Sequence, residues 1–409
     1  MAERIEIYGR MQCMMIKADG TDDSVTVPSY NKLSKPHCEG FFDWCRGQQI
    51  GSSKVPLYHG CYSRTQKIYH RRRLINNLQS QLYLHMTKAS SSFVGYGAVF
   101  NLEFSPTGKI LVAACEGNAM KFYDPLALCQ IQVVPKAHTD CVNCISYSSE
   151  ATKPTELVCL DRLMRTRLTP DDSKMILSTS LGYYLIIHDL DLLTLAKDLK
   201  DFSSDDYYLL LQEKDPKDLT NHPSNHVFHQ KRNRVELVMD FPRESYPWCI
   251  SSLVVHPQSW CMMSRFTSEM EDSEWTCVHD IQGGHCNLDK DIHDSAAENS
   301  TPFHPQDRLL YYMSEPNDGR GYIKELSVSP DGRYICSSFG YGVRLLTFNT
   351  DCSELCDLNP TGGNSKELTE KCLLISHKRT VVTSEFSPTH PTLVTGCLEG
   401  ELVFHQARL

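Results

Sequence analysis

The chain has 409 residues, of which 41% are apolar and 22% charged, so it has enough apolar residues for a large core and is not a disordered chain. Its 41 Lys and Arg residues against 50 Asp and Glu residues give a net charge of −9, which disfavours non-specific nucleic-acid binding. It lacks both the roughly 18-residue apolar run of a membrane span and the apolar stretch of a secretory signal. We expect a soluble intracellular protein of the nucleus or cytoplasm, without membrane or direct nucleic-acid contacts.

The amino-terminal part of the chain is predicted to be mostly irregular over residues 1–67, which mix Gly, Pro, Ser and charge without a sustained period. Residues 68–92 are predicted to form a helix and a linker. The helix is expected from Ile68 to Met86, because apolar residues recur there at three and four positions, and its apolar face consists of Ile75, Leu78, Leu82 and Met86. Ser90-Ser91-Ser92 is the expected linker.

A basic run, Arg71-Arg72-Arg73, falls in the first turn of this helix. The helix macrodipole disfavours cations at an amino terminus, so these arginines either lie deeper in a longer helix or meet an acidic partner. A solvated helix face is the alternative.

The stretch from Val99 to Asp124 has the pattern of one propeller blade. Val99–Phe104 reads as a strand, Ser105-Pro106-Thr107-Gly108 as a turn, and Ile110–Cys115 as a buried strand before a second glycine turn. This order resembles the WD repeat, which recurs at roughly 40–45 residues. We therefore predict an all-β WD-repeat β-propeller over residues 93–409, incomplete or irregular, with polar insertions near 193–246 and 268–320.

Five signatures of this kind are recognisable, each with a proline after its first strand: Pro106, Pro170, Pro257, Pro330 and Pro388. The pattern of a further blade begins at Ala137 and stops after Ile145. The 19 residues from Asn143 to Asp161 are too few to complete it and build another. A smaller closed ring, an open ring and a transcript variant lacking an internal exon all account for this gap. We favour the variant as a hypothesis, because the flanking blades keep strings that fit a complete propeller.

Candidate structural residues of the blades are His138 and His377, each of which precedes a strand, together with Asp140, Asp124 and Asp189. In WD blades a histidine at this place is tethered to an Asp of the same blade. Cys141 and Cys144 have the spacing of a zinc or redox pair, but no second pair follows, which favours packing. We expect no cofactor, no metal and no catalytic residue, and hence no enzyme.

Four strings are more specific than a generic blade: Gly97–Pro106, Ala137–Asn143, Leu163–Asp191 and Phe339–Leu346. They resemble WD-repeat members of the cullin-4-associated factor family. The resemblance implies a non-catalytic receptor that presents protein substrates to a cullin-4 RING ubiquitin ligase, with the damaged-DNA-binding adaptor subunit and cullin-4 as partners. It also implies that the helix contacts the adaptor, with Arg71, Arg72, Arg73, Ile75, Leu78 and Leu82 as candidate contact residues.

One departure from the family pattern concerns the Trp-Asp-x-Arg motif through which such receptors commonly hold the adaptor. The chain has four tryptophans, and none is followed by Asp. The alternative interpretation is therefore a WD-repeat interaction scaffold without a ligase link.

Overall fold

The computed structural model describes residues 13–17, 81–137, 144–148, 163–179, 181–200, 202–203, 223–239, 249–266, 273–282, 308–316, 324–353 and 365–407. Regular structure in these ranges is almost all strand. The exceptions are a turn of helix at 81–83, the α-helix α1 (Leu192–Asp198) and the 3-10 helix Pro223–Phe228. The predicted all-β class is confirmed.

Two strands precede the blades: β1 (Cys13–Lys17) and β2 (Met86–Phe93). Five larger sheets follow, which we number as blades. Blade 1 consists of β3 (Val99–Phe104), β4 (Leu111–Cys115), β5 (Met120–Asp124) and β6 (Cys129–Val134). A separate strand, β7 (Cys144–Ser148), comes next. Blade 2 consists of β8 (Leu163–Leu168), β9 (Lys174–Thr179), β10 (Tyr184–His188) and β11 (Arg234–Val238).

The remaining blades follow in chain order. Blade 3 consists of β12 (Cys249–Val255), β13 (Trp260–Phe266), β14 (Ser273–Asp280) and β15 (Leu309–Pro316). Blade 4 consists of β16 (Ser327–Val328), β17 (Ile335–Phe339), β18 (Gly342–Thr347) and β20 (Thr369–Ile375), while β19 (Lys366–Glu367) extends blade 3. Blade 5 consists of β21 (Val381–Phe386), β22 (Thr392–Cys397), β23 (Glu401–Ala407) and the early strand β2.

The first hairpin of a blade is built by a polar side chain at the end of its first strand. In blade 1 the Ser105 hydroxyl accepts from the Ile110 N–H at 3.1 Å, and Gly108 takes a φ of +71° that the turn requires. Thr169 accepts from Lys174 at 3.0 Å in blade 2, and Ser329 from Tyr334 at 3.0 Å in blade 4. These turns coincide with the predicted signatures, so five blades form where the sequence shows five signatures.

Adjacent blades bury apolar side chains between them. Val99 and Leu102 of blade 1 pack with Phe404 of blade 5, and Tyr334 of blade 4 packs with Phe386 of blade 5. Similar clusters lie between blades 2 and 3 and between blades 3 and 4. The first strands of the blades contact one another, with β3 on β21, β8 on β12 and β16 on β21, so these strands line the axis of the ring.

Two unexpected features accompany the gap predicted after Ile145: the strand β7 beside blade 1 and an apolar cover on blade 2. β7 lies against β3 of blade 1 and pairs in parallel with β1, with Cys13 opposite Cys144, so a strand forms inside the region predicted to be irregular. Blade 2 turns one face to blade 3 and covers the other with apolar residues from the segment between β10 and β11, namely Leu195, Leu199, Phe202 and Val227.

The structure places strands inside both predicted polar insertions and in the predicted linker. The polar insertion at 193–246 contains α1 and β11, and the insertion at 268–320 contains β14 and β15. Both regions are predicted to be polar because Asp, Glu, Ser, His and Asn are frequent in them, although β15 carries a continuous apolar run from Leu309 to Met313. The predicted linker is also a strand: β2 pairs antiparallel with β23, Met86 opposite Ala407 and Phe93 opposite Glu401. The polar Thr87–Ser92 run conceals it, because an edge strand leaves most of its side chains exposed.

Candidate interaction surface

Only the last part of the segment predicted to contact the adaptor, from residue 81 onward, belongs to the described structure. Arg71, Arg72, Arg73, Ile75 and Leu78 lie outside the described residues, and so does most of the predicted helix. Leu82 is described and buried, so its side chain is covered inside the fold instead of facing a partner. Met86, predicted as the last residue of the helix face, is the first residue of β2.

Tyr83 fixes this entry point to the ring. Its ring makes edge contacts with Tyr334 of blade 4, at 5.9 Å between centroids, and with Phe386 of blade 5, at 5.1 Å. Both partners lie beside the turns of the first hairpins, and we call the side of the ring that carries these turns the first-turn face. Any segment that precedes residue 81 therefore joins the propeller at the first-turn face of blades 4 and 5.

β2 runs along the outer edge of blade 5, from the first-turn face to the opposite face of the propeller. Its end, Phe93, pairs with Glu401, which begins the strand after the second turn of blade 5. Exposed apolar side chains lie on this opposite side: Phe93 is 69% exposed, Ile375 69% and Tyr341 57%. We call the surface formed by Phe93, Tyr341, residues 375–379 and residues 397–401 the blade 4–5 rim.

The backbone of the blade 4–5 rim is held by hydrogen bonds between the two blades. The Tyr341 carbonyl accepts from the His377 N–H at 3.0 Å. Lys88, on β2, donates to the Ser376 carbonyl at 3.3 Å and forms an ion pair with Glu401 at 2.9 Å. Exposed apolar groups on a fixed backbone, rimmed by charges such as the Arg379–Glu399 pair, are typical of protein-binding surfaces.

His377 is the predicted structural histidine that the structure describes. Its Nε2 lies 2.7 Å from the Thr395 hydroxyl, which lies 3.1 Å from Nε2 of His405. Burial lowers the pKa of His377 to about 4 and that of His405 to about 3, so both rings are neutral at neutral pH. The tether runs to a threonine, whereas the WD pattern predicts an aspartate.

The other predicted blade residues divide into three groups. His138 and Asp140 lie outside the described residues. Asp124 closes a turn, since its Oδ1 accepts from the N–H groups of Leu126 at 2.8 Å and Ala127 at 2.9 Å. Asp189 is exposed at a φ of +49°, and its backbone carbonyl, not its carboxylate, accepts from Asn233 at 3.2 Å.

Asn233 is a structural residue that sequence reasoning did not single out. Its amide nitrogen contacts the Asp191 carbonyl at 3.1 Å and the Asp198 carboxylate at 2.8 Å, which fixes both ends of α1 to blade 2. The only sequence signal for Asn233 was its position as a polar residue directly ahead of a strand. Cys115 and Cys336 are buried inside strands, and this burial raises the pKa of each thiol to about 12.

The five blades found in the described residues define the chain as a β-propeller. The curated relatives then identify its family. "DDB1- and CUL4-associated factor 10" of Danio rerio is 33% identical, over 80% of this chain and 78% of that protein, and its Xenopus laevis counterpart is 33% identical over 76% and 85%. The Homo sapiens protein is 31% identical over 80% and 73%. The chain belongs to the DDB1- and CUL4-associated factor 10 family.

Other comparisons are less informative. No protein-family model matches the chain. Among solved structures, the β-propeller domain of Myceliophteria thermophila Cps50 (Swd1) covers 76% of this chain and 84% of its own, with 11% identity and a TM-score of 0.38. Within the described residues, no helix has the length and apolar character needed to cross a membrane.

Proposed function

We propose that the chain is the non-catalytic substrate-receptor subunit of a cullin-4 RING ubiquitin ligase. It would bind DDB1, and through DDB1 reach CUL4, while a different surface holds a protein substrate. Ubiquitin transfer is then the chemistry of its partners, so the receptor itself needs no catalytic group. An intracellular location accompanies this role.

Membership of the DDB1- and CUL4-associated factor 10 family is the observation that carries the proposal. Relatives named for their association with DDB1 and CUL4 match about four fifths of the chain. The fold is compatible with this role, because a propeller offers two separate faces for two protein partners.

The attachment of residue 81 to the first-turn face supports separate binding sites for the adaptor and the substrate. Tyr83 and the buried Leu82 place residue 81 at the first-turn face, so the predicted adaptor-binding residues from Arg71 to Leu78 lie only a few residues before it. The blade 4–5 rim is at the other end of β2. We assign the adaptor to the segment before residue 81 and the substrate to the blade 4–5 rim.

Pull-down of the tagged full-length chain from cells tests the role, with immunoblots for DDB1 and CUL4. The wild-type chain is expected to recover both proteins. Simultaneous replacement of Arg71, Arg72 and Arg73 by Glu should remove most of the recovered DDB1 without changing the melting temperature. Arg379→Glu, which reverses an exposed charge on the blade 4–5 rim, is the matched control and should recover DDB1 normally.

The alternative is a propeller scaffold without a ligase link, which the absence of a Trp-Asp pair favours. Failure of the wild-type chain to recover DDB1 and CUL4, with other partners stably bound, would support the scaffold. Normal recovery by the triple variant would instead show that the adaptor binds elsewhere on the propeller.

A further inference from the structure

Three side chains with metal-binding atoms converge at the blade 4–5 rim. A ring nitrogen of His377, the Cys397 sulfur and a Glu401 carboxylate oxygen all lie within 4.8 Å of one another. Cys397 ends β22 and Glu401 begins β23, and the turn between them is closed by the Gly400 N–H donating to the Cys397 carbonyl at 3.0 Å. Two of the three groups are thus held by one tight hairpin.

His377 presents an unused nitrogen to this cluster. Its side chain is fully buried, and its Nδ1 has no hydrogen-bond partner among the described residues. If Nε2 donates its proton to the Thr395 hydroxyl, at 2.7 Å, the lone pair of the neutral ring is on Nδ1. In metal sites, a hydrogen bond from the other ring nitrogen orients a histidine ligand in this way.

The distance between His377 and Glu401 fits a bridging ion better than a direct contact. Nδ1 lies 3.7 Å from Glu401 Oε2, which is too long for a hydrogen bond. Two ligands at about 2.1 Å from a tetrahedral zinc are separated by about 3.4 Å. Lys88 holds the other carboxylate oxygen, Oε1, at 2.9 Å, which leaves Oε2 directed towards the histidine.

Cys397 completes the set with a soft ligand. Its sulfur is buried, and this burial raises the pKa of the thiol, although the backbone N–H groups of Glu401 and Glu399 donate to the sulfur and oppose the shift. Such hydrogen bonds stabilise a thiolate. A thiolate and a carboxylate together balance the charge of a divalent cation, and a nitrogen, sulfur and oxygen set favours zinc among common metals.

We propose that His377 Nδ1, Cys397 Sγ and Glu401 Oε2 form a zinc site at the junction of blades 4 and 5. Binding releases the Cys397 proton to solvent, and a water molecule takes the fourth position on the side where Glu401 is partly exposed. The ion would connect the segment between blades 4 and 5 to the hairpin that pairs with β2. This site is independent of the ligase role.

Metal titration of the full-length chain tests the site. The protein is first treated with a chelator and titrated with Co²⁺, and the thiolate-to-cobalt absorption band is recorded. The zinc content of a separate sample loaded with Zn²⁺ is measured by mass spectrometry. We expect one high-affinity equivalent and a rise in melting temperature with zinc. Cys397→Ser should abolish the high-affinity band, and Glu401→Gln should weaken binding at least about tenfold.

Cys261→Ser is the matched control, because Cys261 is equally buried on β13 but is not part of the cluster. It should bind cobalt and zinc as the wild type does. If Cys397→Ser does not fold, Glu401→Gln decides, since Glu401 is partly exposed. The proposal would be overturned if the wild type bound no high-affinity equivalent of cobalt or zinc. Equal metal binding by the wild type and Glu401→Gln would also overturn it, and would indicate that other cysteines bind the metal.

Discussion

Arg165 and Glu325 form a buried ion pair between two blades that are not neighbours. Arg165 lies on β8 of blade 2 and Glu325 just before β16 of blade 4, with 2.6 Å between Nε and Oε1. Their side chains are only 1% and 2% exposed, and the second oxygen of Glu325 accepts from Ser252 of blade 3 at 3.0 Å. Three blades therefore meet at one carboxylate near the axis of the ring.

Removing one partner of this pair should destabilise the whole ring. Arg165→Met leaves the Glu325 charge buried without its guanidinium, which should lower the free energy of unfolding by about 3–5 kcal/mol. Urea denaturation followed by tryptophan fluorescence measures the change. Arg379→Met, in the exposed pair with Glu399, should leave the denaturation midpoint in place. Equal midpoints for wild type and Arg165→Met would show that the pair does not stabilise the ring.

Glu385 gives a pH-dependent prediction. Desolvation on β21 and the nearby charge of Glu103 raise its pKa well above the ordinary value, although Arg167 opposes the shift. A raised pKa means that the folded state binds the proton more tightly, so stability is lost as the pH rises from the ordinary pKa of Glu through the raised one.

Glu385→Gln removes that loss. The variant should melt at the same temperature as the wild type near pH 4 and at a higher temperature at pH 7 to 8. Calorimetric scans of both proteins across this pH range measure the difference, and Glu399→Gln, at an exposed position, is the control. A melting difference that did not grow with pH would contradict the assignment.

Tyr83 should stabilise the fold by far more than an exposed residue of the same segment. Tyr83→Ala removes its contacts with Tyr334 and Phe386, and the loss should be about 3–5 kcal/mol. Phe93→Ala, at the other end of β2, changes stability by no more than about 0.5 kcal/mol. Equilibrium unfolding of the two variants gives the comparison, and similar values for both would mean that Tyr83 is not an anchor.

Gly342 is required by the close approach of two strands in blade 4. A Cβ on Gly342 would lie 2.1 Å from the Leu374 carbonyl oxygen, a backbone atom that has no rotamer with which to move away. Gly342→Ala should therefore cost at least about 1–3 kcal/mol. Gly95 has a φ of +73° and no atom within 4 Å of the place a Cβ would take. Gly95→Ala is therefore the control that introduces backbone strain without crowding. Gly95→Ala should be the milder change, as measured by melting temperature.

Local turn chemistry explains why the blades were predictable from the sequence. Ser105, Thr169 and Ser329 each accept a hydrogen bond within their own hairpin, so about five residues of sequence carry the whole signal. The strands β1 and β2 had no such signal. Their partners, β7 and β23, are far away in the sequence, and β2 is an exposed polar edge.

The candidate surfaces were harder to predict for the same reason. His377 was recognisable because it precedes a strand, but its threonine partner and its proximity to Glu401 depend on how β22 and β23 are paired. The apolar character of Phe93 and Ile375 gave no indication of exposure. Leu82 fitted a helix face equally well whether that face was turned to a partner or to the core.

The pairing of β2 with β23 determines when blade 5 can finish folding during synthesis. A ribosome makes β2 before any blade, whereas β23 is the last strand of the described chain to be made, so blade 5 remains one strand short until translation has passed residue 407. During that interval the nascent chain exposes the unpaired edge of β2, and such edges recruit chaperones or other unfinished chains. A chain stalled within blade 5 would leave the ribosome with four blades and an open edge, which makes it a substrate for quality control.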